Sequence, residues 1–349
     1  MRILHAPFNI ANIAWELSQA QRLLGHEAHA VQYYSSWAKF RCDENLALER
    51  FNQPRRTIEM IRFFARAVPR YDVFHFHFGF SLLPKFVDVP ILKALGKRVV
   101  FHFHGCDIKD RSILIKKDRF SACRVCHPIK CNVDIPLSKR VADRYADAVF
   151  MGTPDLIEFY PRSRWLPPPI HFAEIEEAVR TTPDPSSNGS LRLVHAPSDR
   201  LLKGTSYVLN AVKEIKRQNR TLDFQLVEGQ PWHEALKIFK SAHIVADQFR
   251  MGAYGHMAAE CMTLGKPVLC FIRNEILRYY PEDLPIVNVT GERLVEAIES
   301  LMDDPLRCAR LSEAGRSYVQ RYHDPIKIAE QTIAAYHQGR SYASDDAHS

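Results

Sequence analysis

Four groups of residues in this chain have the composition of chemical sites. In "DRLLKGTSYVLNA", Arg200, Lys203 and Gly204 stand between an extended run and a helical one. An ammonium, a backbone without a side chain and free helix N–H donors converge there, which suits a phosphate. An isolated Lys-Gly pair is more often a solvated loop. In "MGAYGHMAAECMTLGKPVLCF" (251–271), Gly252 and Gly255 admit close backbone approach and a helix begins near His256. Glu260 then falls among Met257, Ala258, Ala259, Cys261 and Met262. A carboxylate is costly to bury there unless something uses it, and ribose hydroxyls are natural partners. A thin exposed stripe is the plainer alternative.

The third group is histidine. "HFHF" (75–78) and "HFHGCD" (102–107) place His75 with His77, and His102 with His104, on common strand faces by the period of two. Such a set suits a metal, although core histidines with backbone partners are commoner. His77 and His104 lie nearest the strand ends. The fourth group is "CRVCHPIKC" (123–131), where Cys123, Cys126 and Cys131, with Cys106 upstream, offer thiolates for a structural zinc that would staple a loop-rich insertion. Reduced thiols without metal are the other reading. A catalytic zinc is not expected.

These groups need strands that end beside them. "RILHAP" (2–7) and "RLVHAP" (192–197) are near repeats, each followed by a polar loop, an amphipathic helix and a further extended run. In the first copy Ile13, Ala14, Leu17, Ala20 and Leu24 share a helical face and Gly25 ends the helix; in the second, Val208, Leu209, Val212 and Ile215 share one. Strand, helix, strand opens a doubly wound parallel sheet, so the repeat marks two domain starts. "YDVFHFHF", "KRVVFHFHG", "DAVFMG", "AHIVADQ", "KPVLCF" and "LPIVNV" supply further short strands, apolar on both faces as helix-covered parallel strands are. The expected organisation is an N-terminal domain over 1–170, a linker over 171–190 ending in "TTPDPSSNGS", a C-terminal domain over 191–335 and a flexible tail over 336–349. At 349 residues the chain is long enough for two cores. Neither half carries G-x-G-x-x-G or G-x-x-x-x-G-K-[ST], which removes the main support for a dehydrogenase or a P-loop enzyme.

A net charge of +7 favours acidic partners such as phosphorylated substrates or an anionic membrane surface, without requiring nucleic acid. The basic helix "QPRRTIEMIRFFARAVPR" (53–70) is either a core-packing helix with a solvated cationic stripe or a surface that approaches anionic lipid. Eight cysteines are too few for a secreted disulfide scaffold, and no 18-residue apolar run occurs. The expected location is the cytoplasm, at the inner face of the membrane where the acceptor is lipid-linked.

The order and spacing of "KGT", of "EG" followed by "HEALKIFKSAHIVADQ", and of "AYGHMAAECMTLGKPV" resemble the GT-B-fold retaining glycosyltransferases of the large group 1 nucleotide-sugar family. The resemblance is strongest over residues 192–271, and "LLGHEAHAV" and "VVFHFHGCD" extend it more weakly into the first half. It implies an α/β architecture of two facing Rossmann-like doubly wound domains with the active cleft between them. The second domain would bind the donor: Lys203 with Arg200 and Gly204 at the diphosphate, Glu260 at the ribose, and the amides of Gly255, His256 and Met257 toward the phosphates. His104 would stand near the transferred sugar, making His104, Lys203 and Glu260 the catalytic set, and no metal or other cofactor would be needed. Asn9, Asn12 and His77 would lie on the acceptor side. Two departures stand out. Gly252 occupies the position of a family glutamate paired with Glu260, and "PFNIANIA" replaces the usual Gly-rich turn after the first strand. The implied activity is retaining transfer of a sugar from a nucleotide-diphosphate donor to a glycan, lipid-linked or other hydroxyl acceptor, as in polysaccharide biosynthesis. The alternatives are a nucleotide-sugar epimerase of the same architecture and a non-catalytic nucleotide- or glycan-binding relative, the latter suggested by Gly252.

Overall fold

Short β-branched and aromatic runs alternating with amphipathic helices build two parallel sheets. A computed structural model describes residues 1–35, 39–127, 131, 133–185 and 190–339. Strands β1 (Arg2–Ala6), β2 (Glu27–Gln32), β3 (Glu44–Asn45), β4 (Val73–His77), β5 (Arg98–Phe103), β6 (Ala148–Met151) and β7 (Arg164–Trp165) form the first sheet, in the order β3-β2-β1-β4-β5-β6-β7. Strands β8 (Leu191–His195), β9 (Leu222–Leu226), β10 (Ile244–Ala246), β11 (Val268–Cys270) and β12 (Val287–Asn288) form the second, in the order β12-β11-β10-β8-β9. Every described strand pair is parallel. All five residues of β4 are buried, as helices on both faces demand. The first helix, Ile13–Leu23, ends before Gly25, whose φ of +81° is the left-handed turn read from the sequence.

In each sheet the chain order reverses once beside the domain's opening strand, between β1 and β4 in the first and between β8 and β10 in the second. Loops leaving two strands in opposite directions open a crevice at their carboxyl ends, which is where open α/β sheets bind ligands.

Two compact units divide the chain, and their limits correct the expected domains. The first holds Met1–Asp110, Cys131–Pro169 and Pro325–Ser349; the second holds Arg111–Lys130 and Ile170–Asp324. Residues 325–335 therefore leave the C-terminal domain, and the expected tail begins inside a helix, Pro325–Gln338. That helix sets Ile328, Ala335 and Tyr336 into the core formed by Ile3, Leu17, Val73 and Phe150. Its apolar stripe was visible, but local periodicity does not say which sheet a stripe will cover. The expected linker likewise contains a helix, Phe172–Val179, whose Ile175 and Val179 are buried in the second unit. Residues 186–189 and 340–349, within the expected linker and tail, lie outside the described residues.

Candidate active site

In the second unit the β8–β10 crevice collects Lys203, Asp247, Gln248 and Gly255. The loop after β8 is closed by Asp199, whose Oδ1 accepts the N–H groups of Leu201 at 3.0 Å and Leu202 at 3.1 Å. That short turn ends at Gly204, φ +76°, where a Cβ would lie 3.2 Å from Tyr207 and 3.3 Å from Phe249 and Arg250. The turn carries Lys203 back over the sheet. Its Nζ donates to Gln248 Oε1 and lies 3.7 Å from Asp247 Oδ1. Asp247 is buried and its Oδ2 accepts the Gly255 N–H at 3.0 Å.

Glu260 is 4% exposed on the helix His256–Thr263 that follows, between Ala259 and Cys261, both fully buried. Its Oε1 accepts the indole N–H of Trp232 at 2.5 Å and lies 3.3 Å from His256 Nε2 one turn earlier. The carboxylate is thus buried with named polar partners, as its apolar neighbours in the sequence require. Met257 lies half-buried in the same first turn.

Two donor-side expectations change. Arg200 pairs with Glu228, in the loop after β9, through both guanidinium arms, one at 2.7 Å. The Gly255 amide donates to Asp247, which also lies beside Lys203, so the amide is part of that cation's support. At Gly252, φ is +79° and a Cβ would stand 2.9 Å from Arg273 Cγ. The stem of Arg273 fills the space a glutamate would need. Arg273 also lines a cavity of about 370 Å³ with Lys117, Asp118, Phe120, Phe271 and Asn288, beyond the ends of β11 and β12.

In the first unit the histidines cover the β1–β4 crevice. His5, His75, His77 and His102 are at most 1% exposed, and His104 is half-buried at the end of β5. Their partners are mostly one another, where the sequence favoured backbone carbonyls. His5 Nδ1 meets His77 Nε2 at 3.1 Å, and His77 Nδ1 meets His104 Nε2 at 3.0 Å. Burial drives His5 down to about 4 and His104 to about 3, and takes His75, His77 and His102 well below the usual imidazole value. Asp107 holds the turn after β5 by accepting the His104 N–H at 3.0 Å and the Gly105 N–H at 2.6 Å, and burial raises its carboxyl to about 6.

Asn9 and Asn12 do not stand free on an acceptor surface. Asn9 Oδ1 accepts the Ala14 N–H at 3.1 Å, its Nδ2 donates to Arg41 O at 2.8 Å, and Asn12 Nδ2 donates to Glu16 at 2.6 Å. Both amides are buried in building the turn that replaces a Gly-rich one. His77, the third acceptor-side expectation, is fully buried beneath His104. Cys106 and Cys131 are exposed and Cys126 is buried with its Sγ 3.6 Å from His127 O. Among the described residues, the groups whose ligand atoms gather within 4.8 Å are His5, His75 and His77, and His77, His102 and His104. On the basic helix Gln53–Arg70, Arg62, Arg66 and Arg70 face Glu59, Glu44 and Glu27. Among the described residues no helix is long and apolar enough to cross a membrane.

Trp232, Gln21, Thr332 and Asp107 escaped the sequence reading. Asp107 had a local signal, a short acidic side chain three residues after a strand-end histidine, close enough to reach back to the amides that end the strand. The others act across long sequence separations and had none.

No family model matches the chain, and no curated protein does. Solved structures do. Anabaena HepE in complex with UDP-glucose superposes with a TM-score of 0.63 at 12% identity, covering 96% of this chain and 98% of its own. Sucrose-phosphate synthase from Thermosynechococcus elongatus gives 0.62 at 13% identity over 96% and 98%. The catalytic domain of Arabidopsis thaliana starch synthase IV, bound to ADP and acarbose, gives 0.62 at 11% over 98% and 99%. At these identities the likeness establishes architecture, and the chain has the GT-B fold.

Proposed function

We propose that the protein transfers a sugar, with retention of anomeric configuration, from a nucleoside-diphosphate sugar to a hydroxyl acceptor on a glycan or lipid-linked carrier. The observation that carries this reading is the set at the β8–β10 crevice: Lys203 held by Gln248 and Asp247 beside the Gly255 turn, with buried Glu260 on the next helix. Lys203 exchanges Gln248 for a diphosphate oxygen and stabilises the charge that develops on the leaving group. Glu260, fixed by Trp232, accepts the ribose hydroxyl hydrogens. Structural neighbours bound to UDP, UDP-glucose and ADP support a nucleotide ligand for this crevice. His104 takes a hydroxyl of the transferred sugar.

The test is incubation of the purified chain with a panel of UDP-, GDP-, ADP- and dTDP-sugars and hydroxyl acceptors, read by mass spectrometry, with product anomers read by NMR. Transfer is expected with at least one donor, and Lys203→Ala and Glu260→Ala are expected to abolish it in folded protein. Isomerised sugar without acceptor, or binding without turnover, would replace this reading by an epimerase or a binding protein.

A further inference from the structure

The hydrogen atoms of the buried histidine set can be placed one by one, starting from a backbone carbonyl. The Thr332 hydroxyl donates its single hydrogen to Ala329 O at 2.7 Å, so it can only accept from the Gln21 side chain 2.9 Å away. The Gln21 group facing it is therefore the NH2, which also lies 3.1 Å from the Tyr336 hydroxyl. The Gln21 carbonyl oxygen then faces His5 Nε2 at 2.8 Å, and that nitrogen must carry a hydrogen. A neutral ring has one N–H, so His5 Nδ1 is a bare acceptor and His77 Nε2 donates to it. By the same step His77 Nδ1 is bare and His104 Nε2 donates to it. The remaining nitrogen, His104 Nδ1, has no partner among the described residues. It lies over Gly152, where a Cβ would approach within 3.1 Å of it.

We infer that Gln21, His5 and His77 form a one-directional hydrogen-bond relay that fixes His104 as the Nε2–H tautomer and reserves its Nδ1 lone pair for a substrate hydroxyl. The relay stands on the geometry above; its substrate step rests on the proposed reading of His104. Gln21, His5, His77 and Thr332 are positioning residues, since none of them is the atom offered to substrate. The missing side chain at Gly152 leaves the approach to Nδ1 open. A hydroxyl hydrogen is accepted there, and a ligand group that can only accept, such as fluorine in place of that hydroxyl, finds no donor.

Histidine-selective 15N labelling of the full chain at pH 7.5 tests the relay directly, because protonated and bare ring nitrogens are well separated in two-bond 1H–15N spectra. His5, His77 and His104 are expected as Nε2–H. His195 is the internal contrast: its Nδ1 faces Ala246 O at 2.8 Å and must donate, which makes it Nδ1–H. An Nδ1–H signature at His104, or ring nitrogens that move on addition of Zn²⁺, would overturn the relay. Two substitutions extend the test. His77→Gln keeps both an acceptor and a donor and should preserve the His104 signature; His77→Phe keeps neither and should lose it, with kcat lowered about tenfold, the worth of one substrate hydrogen bond, at nearly constant donor KM. Equal kcat and equal signatures in the two variants would overturn the proposal. Gly152→Ala should lower kcat while leaving the tautomer unchanged. Full activity in His104→Ala alongside the expected spectrum would remove the substrate step and the reading of His104, and leave the relay standing.

Discussion

Acidification from pH 7.5 to 5.5 should destabilise the first unit, and the loss can be computed from its histidines. In the unfolded chain an imidazole titrates near 6.5; in the fold His5 stays neutral to about 4, His104 to about 3, and His75, His77 and His102 are held low by the same burial. Their contribution is complete above pH 6.5 and lost as the pH falls toward the folded values, because the unfolded chain binds protons that the fold refuses. Over this interval His5 and His104 cost about 1.3 kcal/mol each, and His75, His77 and His102 add in the same direction. Asp88 and Asp107 act in the opposite sense. Burial raises both to about 6, the fold takes up their protons first, and they return about 2 kcal/mol. His5 and His104 are therefore nearly offset by the two carboxyls, and the net loss is set by His75, His77 and His102, against the ~5–15 kcal/mol that a domain possesses. Urea midpoints at pH 7.5, 6.5 and 5.5, with hydrogen exchange read at β4 and β5, measure it. His102→Phe should flatten the dependence by one ring's share, and it removes two ring nitrogens that have no hydrogen-bond partner among the described residues. Stability that is flat to pH 5.5 and falls only below pH 4.5, where ordinary carboxylates protonate, would refute the reasoning.

Trp232→Phe should keep the ring and lose the indole hydrogen bond to Glu260, weakening nucleotide binding about tenfold by calorimetry, the worth of one hydrogen bond to a charged group. Gly291→Ala would set a Cβ 2.3 Å from the Tyr207 ring and should cost about 1–3 kcal/mol in denaturant unfolding, since a packed ring must shift. Gly252→Glu should cost about 1–3 kcal/mol in backbone strain alone, with Arg273→Ala relieving only the steric part in a double variant.

What the sequence revealed depended on how far each signal reached along the chain. The period-two histidines were assigned to shared strand faces from local spacing; β4 carries His75 and His77, β5 carries His102, and His104 follows one residue past the end of β5, because alternation is a property of the strand itself. Lys203 and Glu260 drew notice because a cation before a glycine at a helix start, and a carboxylate in an apolar helix, are conspicuous within a dozen residues, and the structure buries Glu260 and sets Lys203 beside Asp247. The partner of Arg200 was not legible, since Glu228, which pairs with it, lies 28 positions later. The helix Pro325–Gln338 was assigned to the wrong unit for the same reason: Ile328 and Tyr336 declare an apolar stripe but not the strand they cover. Asn9 and Asn12 looked like ligands because polar residues without helical partners look alike whether they face solvent or, as here, the chain's own backbone and the Glu16 carboxylate.

The two His-Ala-Pro copies show how one fold unit yields different chemistry. His5 and His195 occupy the same place, the end of a domain's opening strand beside the reversal in strand order. His195 faces the Ala246 carbonyl with Nδ1 and the Thr205 hydroxyl with Nε2 at 2.9 Å, so it donates at one nitrogen and accepts at the other within its own unit. Nothing of it remains for a ligand, and it serves to pin β10 and the helix after Gly204 beneath Lys203. His5 carries its hydrogen on the opposite nitrogen, because Gln21 offers an oxygen there, and its bare Nδ1 must be filled from His77. Exchanging the local partners should exchange the roles. In Gln21→Met the oxygen that fixes His5 is gone, and the three-ring set loses its single direction while His195 keeps its own. A 15N spectrum in which His5 and His104 change tautomer populations and His195 does not is the expected result. Unchanged signals at all three would mean that ring packing, and not the hydrogen bonds, sets the tautomers.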